Sequence, residues 1–271
     1  EFRRVLFRSL ALDDRDSDAA HKAATAALAI NPKSELVARA LLQLETDRGN
    51  WQQALPALAV LHQKLSKSRQ NDAVLKVRQQ QVAVHYLAAR DQLDDNPASS
   101  IRELEQALKL DPGFLPAVCD IADRYLDPDA DRRANHGRAV KWLEAAFIQQ
   151  PHLALLPRLQ KAWKANDGQF IARLEKLLCK VKDDWRTEAV RLVATVAEQA
   201  GLDGEAARLR HEAAALAYNA PADDVAATWQ CEACKSVHDM WQSHCPACGQ
   251  FASLLWQRPQ QVTPLVRGQR V

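Results

Sequence analysis

Glycine is scarce in this chain, eight in 271 residues, and none of them forms the loops that cradle nucleotides. There is no G-x-G-x-x-G, no P-loop and no G-x-S-x-G elbow, and no two histidines share the H-E-x-x-H spacing of a zinc hydrolase. With no catalytic constellation in view, the chain reads as non-enzymatic. Apolar runs fall short of the roughly 20 residues that cross a bilayer, so the chain as given holds no transmembrane helix. An excess of either charge is also missing. Residues 1–228 carry 32 basic and 32 acidic side chains, and residues 229–271 carry four and two. This balance argues against nucleic acid as a partner, because phosphate-backbone binding needs a basic surplus. Aromatics make up only 6%.

Ala, Leu, Gln, Glu, Lys and Arg dominate residues 17–218, which is helix-forming composition. A phrase recurs there: Ala27-Leu28-Ala29-Ile30-Asn31-Pro32, then Ala107-Leu108-Lys109-Leu110-Asp111-Pro112, then Ala146-Phe147-Ile148-Gln149-Gln150-Pro151. The prolines are 80 and 39 residues apart, consistent with a unit of about 40 residues and one blurred copy, the period of a helical solenoid. Each phrase reads as a helix end, with Ala and Leu packing, a polar cap and a Pro that stops propagation. Gly49-Asn50-Trp51-Gln52-Gln53-Ala54-Leu55 adds a tight turn opening a helix, the inter-helix signature of tetratricopeptide repeats. Ala24, Ala27, Ala54 and Ala107 are placed to let paired helices approach closely. The expectation is an all-α solenoid of about ten or eleven helices in antiparallel pairs, kinked at Pro56, with one long helix over 71–92. The charged run 127–133 reads as a solvated loop. His21, His62, His85, His136, His152 and His211 are scattered singly, and Trp51, Trp142, Trp163 and Trp185 suit inter-helix packing.

Texture changes after Asn219-Ala220-Pro221-Ala222-Asp223-Asp224. Cys231, Cys234, Cys245 and Cys248 form two C-x-x-C pairs ten residues apart, and Trp229, Trp241, Phe251 and Trp256 surround them. A C-x-x-C turn sets two sulfurs on one side of an ion and aims backbone N–H groups at them. Two such turns complete a tetrahedral shell with no open position, so the role is structural. Zinc is the expected metal, with iron as the competitor. His238 and His244 are left outside a shell that closes at four. The second pair, Cys245-Pro246-Ala247-Cys248-Gly249, has a glycine suited to positive φ, whereas the first has Lys235 there, whose charge offsets a tetrathiolate. Two short hairpins should clasp the ion, covered by aromatics. The remaining cysteines, Cys119 and Cys179, read as buried free thiols, which favours a reducing compartment.

Taken together, these features resemble the HemY-type tetratricopeptide proteins encoded with haem-biosynthesis genes in proteobacteria. The resemblance covers roughly residues 20–260. It is carried by Ala-Leu-x-Ile-Asn-Pro-Lys-Ser near the start, by 48–55, by Leu108-Lys109-Leu110-Asp111-Pro112-Gly113-Phe114-Leu115-Pro116-Ala117, and by Trp142-Leu143-Glu144 leading to Pro151-His152. Trp229-x-Cys231 and the run from Phe251 to Pro259 extend it. It implies an accessory or scaffolding role in porphyrin synthesis at the inner membrane, with the repeats on the cytoplasmic side behind an upstream anchor. The chain also resembles LapB, a lipopolysaccharide-assembly adaptor that joins an anchor, tetratricopeptide repeats and a rubredoxin-like module. A redox or haem-handling protein, with iron at the four cysteines or haem on a histidine, is the alternative from another class.

The expected organisation has 1–9 (EFRRVLFRS) as an adapter-derived segment and 10–219 as the tetratricopeptide-like solenoid. A linker at 220–228, a zinc-ribbon module at 229–258 and a flexible tail at 259–271 follow. Protein partners should bind the concave face of the solenoid.

Overall fold

A computed structural model of the chain describes residues 17–67, 71–127, 132–218 and 227–257. The expectations for the 1–9 segment, for most of the 127–133 loop, for nearly all of the 220–228 linker and for the 259–271 tail lie outside the described residues. Among those described, the protein is mostly helical, with one small antiparallel sheet near the C-terminus. The eleven helices are α1 (Ser17–Ile30), α2 (Glu35–Arg48), α3 (Trp51–Lys67), α4 (Asn71–Asp91), α5 (Pro97–Leu110), α6 (Leu115–Tyr125), α7 (Arg132–Gln149), α8 (Leu156–Trp163), α9 (Asp167–Leu178), α10 (Asp183–Gln199) and α11 (Asp203–Tyr218). The strands are β1 (Thr228–Cys231), β2 (Val237–His238) and β3 (Leu254–Gln257). Two compact units divide between Trp185 and Arg186.

In the first unit each helix from α1 to α7 packs on the next, and α7 packs on both α8 and α9. Local chemistry sets the breaks between them. The Ala-Leu phrases end α1, α5 and α7 as their sequence predicts. After Ile30 the chain turns and Ser34 caps α2, its side chain accepting the Val37 N–H. After Leu110 the Asp111 carboxylate accepts the Gly113 N–H at 2.9 Å, and α6 begins with Pro116 in its first turn, where a missing N–H costs nothing. Gly49, at φ 73°, ends α2 in the left-handed region, where a side chain would be strained.

Packing follows the 3.6-residue period. On α3 the buried set is Ala54, Ala57, Leu58, Leu61 and Leu65, one stripe along one face. The four alanines singled out by the sequence, Ala24, Ala27, Ala54 and Ala107, are all buried. Pro56 lies in an exposed position on α3, which continues through it to Lys67. Its ring therefore displaces no packing partner, and the cost is one missing backbone bond together with crowding of the carbonyl four residues earlier. Buried Ser100 ties three helices together, donating to the Ala89 carbonyl and accepting from Arg124 at 2.7 Å. The expectation for Cys179 needs correction. It caps α9 and is exposed, because the residues that face inward there are Leu174, Leu177 and Leu178. Cys119 is partly buried, and burial pushes its thiol up to about 11.

In the second unit, α10 and α11 are joined by ion pairs Arg186–Glu212 and Arg210–Glu198. The sheet has the order β2-β1-β3, both pairings antiparallel, with Trp229 opposite His238 on one side and Trp256 on the other.

Candidate metal centre

Both cysteine pairs sit in turns of the same construction. In the first, the Cys231 N–H donates to the Ser236 carbonyl at 2.9 Å and the Lys235 N–H donates back to the Cys231 carbonyl at 2.9 Å. In the second, the Cys245 N–H donates to the Gln250 carbonyl at 3.0 Å and the Gly249 N–H donates to the Cys245 carbonyl at 2.8 Å. Closing so tight a loop needs positive φ one residue after the second cysteine. Gly249 has φ 71° and Lys235 has φ 63°. Lysine thus occupies a glycine position, at a backbone cost of roughly 1 kcal/mol.

The sequence predicts two hairpins, and the structure builds the second differently. Only β1 and β2 form a paired hairpin. The second turn is closed by a single bridge between His244 and Phe251, after which the chain returns as β3 along the free edge of β1. Trp229 is buried and meets Trp256 edge to face at 5.5 Å, while the His244 ring lies 5.2 Å from Phe251. These contacts form a small apolar body around the turns.

All four sulfurs converge, each within 4.8 Å of the others. Cys231 to Cys248 and Cys234 to Cys245 are 3.7 Å apart. Disulfide sulfurs stand at about 2.05 Å, whereas a tetrahedral set with metal–sulfur bonds of about 2.3 Å has edges of about 3.8 Å. The four cysteines can hold a metal ion. Cys231 and Cys245 are buried, and Cys234 and Cys248 reach the surface.

The surroundings favour thiolates on the buried side. Burial pushes the Cys245 thiol up, but the Ser236 hydroxyl and the Cys248 and Ala247 N–H groups outweigh it and pull it down to about 5. Cys231 is lowered in the same way: burial is outweighed by the Ser253 hydroxyl and the Cys234 and Ala233 N–H groups. At Cys248 the Gln250 N–H lowers the thiol, yet desolvation and the three neighbouring sulfurs carry it up to about 12. Negative charge is shared among four crowded sulfurs, so the last proton is held tightly. A cation in their midst would release it.

Two hydroxyls in this network are not visible in the motif. Ser253 Oγ lies 3.2 Å from Cys231 Sγ, and Ser236 Oγ lies 3.0 Å from Cys234 Sγ and 3.3 Å from Cys245 Sγ. His238 stands just outside, its Nε2 2.8 Å from Ser236 Oγ and 3.6 Å from Cys245 Sγ. The ligand cluster comprises the four cysteines without His238 or His244. The histidines of the helical body do not converge on one another. His85 pairs with Glu103 at 2.7 Å, His21 rests against Glu45, and His152 Nδ1 accepts the Ala154 N–H at 2.9 Å. Among the described residues, no helix is long and apolar enough to cross a membrane. Comparison with family models and with curated proteins finds no match for this chain.

Proposed function

We propose that the chain is a non-enzymatic adaptor: a tetratricopeptide-like helical array that binds a partner protein, with a small module folded around zinc. The observation that carries the reading is the serial packing of α1 to α7, each helix on the next, in a chain whose one convergent set of metal-ligating side chains among the described residues is a complete tetrathiolate. Serial packing makes a long surface from local contacts, which suits recognition. Four thiolates leave a zinc ion no open position for substrate or water, which suits a structural clasp. The resemblance to HemY-type proteins narrows the proposal to an accessory role in porphyrin synthesis at the inner membrane.

Iron at the same sulfurs is the competing occupant, since thiolate geometry does not choose between the two metals. Metal analysis and an absorbance spectrum of the purified full chain separate them. One zinc per chain and no visible colour is the expected result; one iron per chain with visible absorbance would overturn the zinc clasp in favour of redox chemistry. Partner recognition is tested by crosslinking the full chain in cells and identifying what it captures. Reproducible recovery of a porphyrin-pathway enzyme is expected, and recovery of lipopolysaccharide-assembly proteins instead would move the adaptor to the LapB-like reading.

A further inference from the structure

We propose that the cleft between α7 and α9 binds a small organic anion that carries its charge on an apolar body. Two helical stripes make the cleft. From α7 come His136, Val140 and Glu144, each four residues apart; from α9 and the turn after it come Arg173, Lys176, Leu177 and Lys180. The end of α8, with Trp163, completes the lining. The cleft is open to solvent on one side and has a volume of about 520 Å³, within the range of small-molecule sites.

Cations outnumber carboxylates in the cleft, three to one. Its carboxylate, Glu144, already accepts the Trp163 indole N–H at 3.1 Å. Arg173 lies over the Trp163 ring, 5.7 Å from its centroid, and one guanidinium nitrogen donates to the Trp163 carbonyl at 3.3 Å. The rest of that planar fork remains for a carboxylate or sulfonate. Lys176 and Lys180 are exposed, and no ion pair among the described residues takes them up. Several other arginines are paired with acids, as in Arg39–Glu35, Arg158–Asp123 and Arg208–Glu205. Lys176 complements the C-terminal end of α9, but that accounts for one cation of three. The buried Nε2 of His136, in the opposite wall, has no hydrogen-bond partner from the protein. Val140 and Leu177 supply apolar surface between the charged groups. An inorganic anion would use the cations and waste that surface, and a neutral apolar molecule would do the reverse. An amphipathic anion uses both.

Fluorescence titration of the full chain with anilinonaphthalene sulfonate tests this, with neutral N-phenylnaphthylamine and inorganic sulfate as comparators. One saturable site per chain is expected for the sulfonate dye, weaker binding of both comparators, and loss of affinity at high salt. The double variant Lys176→Glu/Lys180→Glu should weaken the dye by about tenfold or more, Lys176→Gln/Lys180→Gln by less, and Lys64→Glu/Lys67→Glu, on exposed α3 positions, not at all. Far-UV circular dichroism confirms that each variant folds. Dye binding that is unsaturable, equally strong for the neutral comparator, or weakened equally by the α3 variant would overturn the proposal.

Discussion

The helical body and the metal module solve the same problem with opposite means. In the body, stability is distributed: dozens of Ala, Leu and Val side chains are buried along helices that pack in series, and no single contact decides the fold. In the module three strands of four, two and four residues enclose a small core, and beside it stand four sulfurs that can hold a metal ion. A distributed core should lose stability in increments, whereas a clasp should fail at once. The strongest test of that contrast is removal of the ligands.

Cys245→Ser with Cys248→Ser, or a strong chelator, should release the metal and unfold the module. Structural zinc contributes about 10–16 kcal/mol in small metal-folded domains, far more than three short strands can replace. The Trp229–Trp256 contact should be lost with it, giving a change in tryptophan fluorescence and near-ultraviolet dichroism, while far-UV helical signal stays within a few per cent. Parallel loss of the helical signal would mean that the body depends on the clasp. Acid should act in the same direction as the chelator, because every ligand must be a thiolate.

The complementary test lies in the body. Leu104 and Leu58 are fully buried on α5 and α3. Truncating either to Ala should cost about 2–5 kcal/mol through lost burial and the cavity left behind. Thermal melting followed by far-UV circular dichroism should report that loss with metal content unchanged. A Leu58→Ala chain that folds but loses its metal would show coupling between the two regions.

How much of this was legible in the sequence differs between the regions for a physical reason. The C-x-x-C pairs announce themselves because each turn sets its own two ligands locally, and the Ala-Leu-polar-Pro phrases announce helix ends because capping is also local. Non-local consequences were not legible. Ser253 reaches Cys231 Sγ only after β3 has returned along β1, and nothing in a serine 22 residues away signals it. The cations Arg173, Lys176 and Lys180 stand three and four residues apart in the sequence, but the cleft they face needs α7, some 30 residues earlier. Cys179 was misjudged because cysteine is usually buried, and a position at a helix end overrides that preference. Lys235 was readable and was read for its charge; aligning Cys-Glu-Ala-Cys-Lys with Cys-Pro-Ala-Cys-Gly puts it on the positive-φ position instead.

That alignment yields a finer test of the clasp. If each turn contributes through its backbone as well as its sulfurs, Lys235→Gly should relieve strain and raise the stability of the metal-loaded module by up to about 1 kcal/mol, while Gly249→Ala should lower it by a similar amount. The space around Gly249 is open, so the alanine variant reports φ and not a clash. Competition with a metal chelator is the measurement. Equal affinities for wild type and both variants would show that the sulfurs alone hold the site.

The smallest effect asks whether the body is as indifferent to protons as the contrast implies. His152 is one group that tests it: burial lowers its pKa, and its unprotonated Nδ1 accepts the Ala154 N–H that opens the turn into α8. In the unfolded chain the imidazole titrates near 6.5, so below that pH the unfolded state binds the proton that the folded state refuses. His152 therefore contributes stability that is complete above about pH 6.5 and is lost as the pH falls through its lower folded value. His152→Asn keeps a capping acceptor without a titrating group. Between pH 7.5 and 5 the wild type should lose up to about 1 kcal/mol more than this variant, the scale of one cap, and the variant subtracts the contribution of every other titrating group. Identical pH profiles for the two proteins would place His152 in solvent and leave the body free of proton-linked stability at that turn.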